Sequence, residues 1–195
     1  MQMETGYEAN ETQQRWFAVH TKHQHERTVA TLLAGKGFEV FYPTYSAVHR
    51  WKDRRKAVEL PLFPGYLFFA EGFERRLQIL STPGVFNILS FGSEPAEIPA
   101  QEIEAIRRMV QSSMRVEPHP CIAIGESVTV ISGPLAGVSG ILQRKKGFYH
   151  LIVSVELLGR SAAVEIDAAA VERTFGVASH FGQSIWTERA FPPSN

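Results

Sequence analysis

The chain has 195 residues, 44% of them hydrophobic, with 20 Lys and Arg set against 20 Asp and Glu. Those values fit one or two ordinary folded domains and exclude a generic polyanion binder, so any nucleic-acid contact must be local. The one cysteine, Cys121, excludes an intramolecular disulfide and any cysteine-rich zinc site.

Charge is unevenly placed along the chain. Residues 1–14 carry Glu4, Glu8 and Glu11 but no Lys or Arg, whereas residues 15–112 hold thirteen basic and ten acidic side chains. The first fourteen residues are polar and aperiodic and lack the basic start and apolar centre of a signal peptide. No later apolar run approaches the length of a membrane helix. The expectation is a disordered lead-in to a cytoplasmic, monomeric protein with no membrane segment.

Arg15 to His20 reads as a first strand, with Trp16, Ala18 and His20 on one face and Phe17 and Val19 on the other. Val29, Leu32 and Leu33 recur at helical spacing between about Gln24 and Lys36, and Gly37 stops that helix. Phe38 to Tyr42 and Tyr45 to Val48 are strand material. The polar run His49 to Lys56 is the loop of a long hairpin that returns through Ala57 to Leu60.

The stretch Val58 to Ala70 is the centre of the chain. Pro64-Gly65 breaks a run of large apolar groups, so a strand begins at or just after it. Alternation puts Tyr66 and Phe68 on one face and Leu67 and Phe69 on the other. A strand apolar on both faces needs cover on both, from a helix of the same domain or from a partner.

Phe73 to Leu80 predicts a short helix with Leu77 and Leu80 on its apolar side, ended by Thr82-Pro83-Gly84. Val85 to Leu89 predicts a strand, Ser90 to Pro95 a loop, and Pro99 to about Ser112 a helix with the apolar stripe Ile103, Ile106 and Val110. Arg107 and Arg108 lie off that stripe. This is an α+β domain, a mostly antiparallel sheet flanked by helices, over residues 15–112.

Periodicity then fails, and Glu117-Pro118-His119-Pro120 is stiff and extended, which places an interdomain linker at 113–122. Short β-rich runs at Val128 to Ile131, Ser139 to Leu142, Tyr149 to Val155 and Ser161 to Ile166 predict a small all-β barrel over 123–174, with a helical turn near Asp167 to Val171. Residues 175–195 are expected to be a largely disordered tail.

Gly125-Glu126-Ser127-Val128-Thr129-Val130-Ile131-Ser132-Gly133-Pro134-Leu135-Ala136-Gly137 to Leu142 resembles the KOW motif of transcription elongation factors and ribosomal proteins. Trp16-Phe17-Ala18-Val19-His20, Phe63-Pro64-Gly65-Tyr66-Leu67-Phe68, Pro83-Gly84-Val85 and the Ile98-Pro99 helix start resemble the NusG N-terminal domain in order and spacing. The resemblance runs through both domains, from about residue 15 to 174, and identifies the chain as a member of the NusG family of transcription elongation factors. Leu60 to Phe68 and Ser90 to Pro95 are closer to specialised paralogues of the RfaH and polysaccharide-operon antiterminator type. Gly159-Arg160 and Val164-Glu165 are like general NusG.

The resemblance implies a factor that binds bacterial RNA polymerase across the clamp, suppresses pausing and termination, and recruits a further partner through its KOW domain. It implies an aromatic grip on the clamp helices by Phe63, Tyr66 and Phe68, with Trp16 and His20 beside them; His20 stands where RfaH-like proteins have an aromatic residue. Arg75 and Arg76 fall where RfaH carries a run directed at the gate loop. In the KOW domain, Leu158, Gly159 and Arg160 match the segment through which the family takes a ribosomal protein or Rho, although NusG usually has Phe at the Leu158 position. The β-branched strands of this domain argue against RfaH-type refolding into helices.

Two further readings come from the residues themselves. Arg50, Lys52, Arg54, Arg55 and Lys56 around Trp51 can track phosphates and stack a base of non-template or upstream DNA, or can be a solvated hairpin tip. His20, His23 and His25 span a strand end and a helix start with no Cys or carboxylate at ligand spacing, which favours a polar helix entry over a metal site. Neither a base beside Ser81 or Ser132 nor a phosphate-cradling glycine loop points to an enzyme, and no cofactor is expected. The alternative function is a ribosome- or RNA-binding KOW protein. That reading leaves the aromatic strand unexplained and expects a more basic second domain than residues 113–174, which hold six basic and six acidic side chains.

Overall fold

The computed structural model describes residues 14–50, 55–70, 73–120, 125–145 and 147–174. The lead-in before residue 14, the tail from 175, Cys121, Trp51, Lys52 and Arg54 lie outside the described residues.

The first domain is built on an antiparallel sheet of β1 (Trp16–Thr21), β2 (Glu39–Phe41), β5 (Tyr66–Ala70), β6 (Val85–Ile88) and β9 (Glu97–Ile98). Their order is β2-β5-β1-β6, with β9 also pairing with β1. The β1–β5 register sets Trp16 opposite Ala70, Ala18 opposite Phe68 and His20 opposite Tyr66. Because side chains alternate, this register collects Trp16, Ala18, Phe68 and Ala70 on one face and Phe17, Val19, Leu67 and Phe69 on the other.

The second face is covered by α1 (Glu26–Gly35) through Val29 and Leu33, and by Phe38 and Ile79. The first face is covered twice over. Ile103, Ile106 and Met109 of α3 (Ala100–Gln111) pack there, and the same buried cluster continues into Val128, Val130, Leu151 and Val153 of the second domain. The apolar stripe of α3 therefore runs through Met109, while Val110 is half-buried at its edge.

Other elements of the first domain differ in detail from the sequence reading. The long hairpin is β3 (Thr44–Arg50) with β4 (Arg55–Pro61), whose backbones pair as far as Arg50 and Arg55. The expected helix before Thr82 is a 3-10 turn, Phe73–Arg75, followed by α2 (Arg76–Leu80). Its buried residue is Ile79, whereas Leu77 is 71% exposed and Leu80 is also exposed. A five-residue helix has room for one inward side chain, and Ile79 takes it. The expected loop at 90–95 holds a minimal hairpin, β7 (Ser90–Phe91) with β8 (Glu94–Pro95).

Residues 116–120 are extended, as their prolines require, and they are also hydrogen-bonded. β10 (Val116–Pro120) is the edge strand of a six-stranded sheet in the order β10-β14-β13-β12-β11-β15, an edge being where a strand tolerates proline. The others are β11 (Glu126–Val130), β12 (Ser139–Lys145), β13 (Phe148–Val155), β14 (Arg160–Ile166) and β15 (Val171–Arg173), with a 3-10 turn at Ala168–Ala170 before β15. All pairings are antiparallel, so the second domain is all-β. Among the described residues no helix is long and apolar enough to cross a membrane.

Two glycines hold the turns that feed the sheet. Phe63-Pro64-Gly65-Tyr66 closes with Tyr66 N–H donating to the Phe63 carbonyl, and Gly65 sits at φ +85 as a type II turn requires. Gly84 sits at φ +93, where a Cβ would lie 2.9 Å from Val29 Cγ2. The Gly65 amide donates to the carboxylate of Glu26 at 2.8 Å, and Glu26, at the start of α1, is only 5% exposed. Helix α1 is thereby tied to the turn that starts β5. Replacing Glu26 with Leu leaves that amide without its partner and should lower unfolding free energy by about 1–3 kcal/mol in urea titration. Glu26→Gln, which keeps an acceptor oxygen, should cost less than half of that.

Candidate partner-binding surface

The face of β1 and β5 opposite α1 gathers the aromatic residues singled out from the sequence. Phe63 meets Phe68 edge-on at 5.7 Å, Phe41 stacks on Phe68 at 6.0 Å, and Trp16 meets Phe41 edge-on at 6.5 Å. Further along, His20 stacks on Tyr66 at 4.9 Å and meets Phe86 edge-on at 5.3 Å. Each ring follows from the register: Tyr66 and His20 are direct cross-strand partners, and the Pro64-Gly65 turn folds Phe63 back over β5. Trp16, Phe63, Tyr66, Phe68 and His20 thus form one continuous surface.

Most of that surface is shut. Phe63 and Phe68 are fully buried and Trp16 is 4% exposed, while Tyr66 and His20 at the margin remain half-buried. The second domain contributes to the lid. Leu157 and Leu158 pack on the shared cluster, and the Arg160 guanidinium lies 5.3 Å over the Tyr66 ring. Gly159, at φ +58, ends the 3-10 turn Glu156–Leu158 and lets the chain reverse between Leu158 and Arg160. The segment expected to take a second-domain partner is therefore engaged at the same boundary as the aromatic face.

Polar contacts lock the boundary from α3. Arg108 donates to the carbonyls of Pro134, at 3.3 Å, and of Ala136, both in the turn between β11 and β12. Nearly two turns earlier on the helix, Glu102 accepts a hydrogen bond from the Glu156 amide at 3.3 Å. Arg108, Glu102 and Glu156 line a cleft of about 960 Å³ between α3 and the second-domain sheet, which also presents Glu104, Ser127, Ser139 and Ser154. Burial in the cleft, then the nearby charge of Glu156, push the Glu102 carboxyl up to about 7, against the opposing pull of the Glu156 amide.

Arg107, beside this lock, lies 5.3 Å over both Trp16 and Phe41 and pairs with Glu39 at 3.5 Å. Sequence reading placed Arg107 and Arg108 off the apolar stripe of α3 without a role. For Arg107 a signal existed, since a residue flanking the stripe is set to reach the rim of the sheet that the stripe covers. For Arg108 there was none, because its acceptors are backbone carbonyls 26 and 28 residues downstream.

The remaining candidates lie elsewhere. Arg75 packs 4.1 Å over Phe38 and donates to the Lys36 carbonyl and to Gln78. Phe38 belongs to the cluster under α1, so this arginine is on the far side of the sheet from the aromatic face. Arg76 is exposed beside it. Arg50, Arg55 and Lys56 sit on the paired ends of β3 and β4, and Trp51, Lys52 and Arg54 fall in the undescribed tip. His25 Nδ1 is 2.9 Å from the His23 carbonyl, a local helix-entry contact. Among the described residues no group of three or more His, Cys, Asp or Glu could hold a metal ion.

Comparison with known proteins places the chain among transcription factors. The family model described as transcription termination factor nusG matches residues 14–107. The transcription termination/antitermination protein NusG of Pseudomonas aeruginosa is 30% identical over 173 residues, covering 82% of this chain and 98% of that protein. The protein of the same name from Thermus thermophilus is 30% identical and covers 80% and 96%. A solved structure described as domain interaction in Thermotoga maritima NusG aligns with a TM-score of 0.50 at 21% identity, over 82% of this chain and 97% of that one, a likeness of fold.

Arg108 joins the domains through charge-assisted hydrogen bonds, each worth roughly 1.5–3 kcal/mol. Arg108→Ala removes both bonds and should therefore raise the ratio of undocked to docked chains by at least about tenfold, seen as a larger radius of gyration in small-angle X-ray scattering.

Proposed function

The chain belongs to the NusG family, and from that premise we propose that it is a transcription elongation and antitermination factor whose first domain grips bacterial RNA polymerase with the aromatic face of β1 and β5. The observation that carries this reading is the surface itself: five rings or near-rings on one side of a two-faced sheet, whose cover comes partly from a separate domain. Phe63, Tyr66 and Phe68 supply the grip on the clamp helices, with Trp16 and His20 alongside. Arg75 and Arg76, on the far side of the sheet, are available to a second polymerase element such as the gate loop. No catalytic step is involved.

The docked arrangement is the resting form on this reading. Phe63 and Phe68 are buried, so polymerase must wait for the second domain to leave or displace it. Its affinity is reduced by the fraction of time the face is covered. Undocking also frees Leu158, Gly159 and Arg160, through which the KOW domain takes a ribosomal protein or Rho. Pull-downs from purified components tell those two apart.

The hairpin of β3 and β4 carries five positive charges against one negative between Arg50 and Lys56. We assign it to phosphates of the non-template or upstream DNA, with Trp51 as a stacking platform. Affinity for polymerase carrying an open bubble should then fall with salt, and Arg54→Ala with Arg55→Ala should flatten that dependence by about one to two phosphate contacts. An unchanged slope assigns the hairpin to solvent.

The direct test of the main reading is co-elution with core RNA polymerase. Tyr66→Ala removes an aromatic anchor, so binding should weaken by at least about tenfold. The same change also loosens the docked domain by losing the Arg160 contact, worth roughly 0.5–1 kcal/mol, which works in the opposite direction and is the smaller effect. A folded wild-type chain that never co-elutes would move RNA or the ribosome to the front as partner.

A further inference from the structure

The boundary between the domains contains a carboxylate in an unusual position. Glu102 sits in the cleft between α3 and the second domain, with its side chain reaching across to the Glu156 backbone amide. The Glu156 carboxylate belongs to the same turn, and Glu104 lines the cleft from α3. Arg108 is the one cation among the described lining residues, and its guanidinium is turned to the carbonyls of Pro134 and Ala136 rather than to Glu102. Glu104 has its own cation in Arg107 at 4.0 Å. Among the described lining residues, the strands packed against this part of α3 contribute Ser127, Ser139 and Ser154 and no titratable side chain. Docking therefore brings Glu102 into a half-buried site beside a like charge, with a single amide as its hydrogen-bond donor.

We propose that Glu102 is a proton-sensitive latch: protonated, it keeps the second domain seated on the first, and losing its proton favours undocking. The inference deepens the reading above and rests on it only for the consequence, namely that undocking exposes the polymerase-binding face.

The direction follows from where the carboxyl is more basic. In the docked form burial and Glu156 raise it to about 7, whereas an undocked helix α3 returns it to the ordinary glutamate value near 4.5. The docked form thus binds the proton more tightly. Its advantage is complete below the undocked value and is lost as pH rises through the docked one. Between those limits the ratio of docked to undocked chains should fall by up to about tenfold per pH unit. Neutral pH lies at the upper end of that window, where small changes in acidity or in the charge of Glu156 move the balance.

The test uses the whole chain without polymerase, so that it can fail independently of the polymerase reading. Small-angle scattering from pH 5 to 8, with NMR titration of the Glu102 side-chain carboxyl, reads domain separation and the protonation of the group together. The expected result is a compact chain at pH 5, a growing extended population toward pH 8, and a Glu102 titration displaced well above 4.5. Glu102→Gln, neutral at every pH, should stay compact across the range. Glu156→Gln removes the neighbouring charge without touching the amide, so it should bring the carboxyl's midpoint closer to its ordinary value and make the loss of the docked form toward pH 8 smaller. A Glu102 carboxyl titrating near 4.5, or a pH-dependent separation that persists unchanged in Glu102→Gln, overturns the proposal. The second outcome would assign the effect to another group. If Glu102→Gln fails to fold, the titration midpoint in the wild-type chain and the response of Glu156→Gln decide the matter.

Discussion

A sheet that is apolar on both faces cannot be satisfied by one helix. β1 and β5 place Phe17, Val19, Leu67 and Phe69 under α1, and that leaves Trp16, Ala18, Phe68 and Ala70 requiring cover on the other side. Helix α3 supplies part of it through Ile103, Ile106 and Met109, and the second domain completes it. Aromatic side chains bury some 150–250 Å² each, so leaving this face in water would be costly, and the docking of two separately formed sheets follows from that demand. The Pro64-Gly65 turn, its tie to Glu26 and the Leu158-Gly159-Arg160 reversal all serve to bring particular groups to that one boundary.

On the function proposed above, the same demand explains how a surface for an external partner is kept out of water until the partner arrives. An internal occupant at high effective concentration competes with any external one, and the external occupant must supply enough binding free energy to displace it. Undocking by either route exposes both the aromatic face and the second-domain turn, so ligands of the two surfaces should favour one another by linkage. The boundary is suited to such a balance. Its centre is apolar, and its rim is held by contacts from Arg108, Glu102 and Arg160, of which the Glu102 carboxyl is pushed up to about 7 by burial and by Glu156.

Much of this architecture could be read from the sequence because it depends on local periodicity. Alternation in Trp16 to His20 and in Tyr66 to Phe69 assigned both faces of the central strands, and the glycine-separated β-branched runs marked the all-β second domain. Where the reading missed, the deciding contacts were nonlocal or the element was very short. Leu77 and Leu80 have the spacing of a buried pair, yet α2 is five residues long and Ile79 alone faces inward. Two-residue strands such as β7 and β8 have no periodicity to detect. β10 looked like a connector because of its prolines, and only its pairing with β14 reveals it as a strand. The aromatic surface was legible residue by residue, whereas its cover was not: Arg108 meets backbone carbonyls and Glu102 a backbone amide, and neither leaves a mark in side-chain type.

The central claim is that one face serves two occupants in turn. Amide hydrogen exchange of the full chain, with and without saturating core RNA polymerase, addresses it directly. The account predicts that β5 from Tyr66 to Ala70 stays protected in both states while Glu156 to Arg160 lose protection when polymerase binds. If Glu156 to Arg160 remained as protected in the complex as in the free chain, the second domain would still be seated, and the shared-face account would be contradicted.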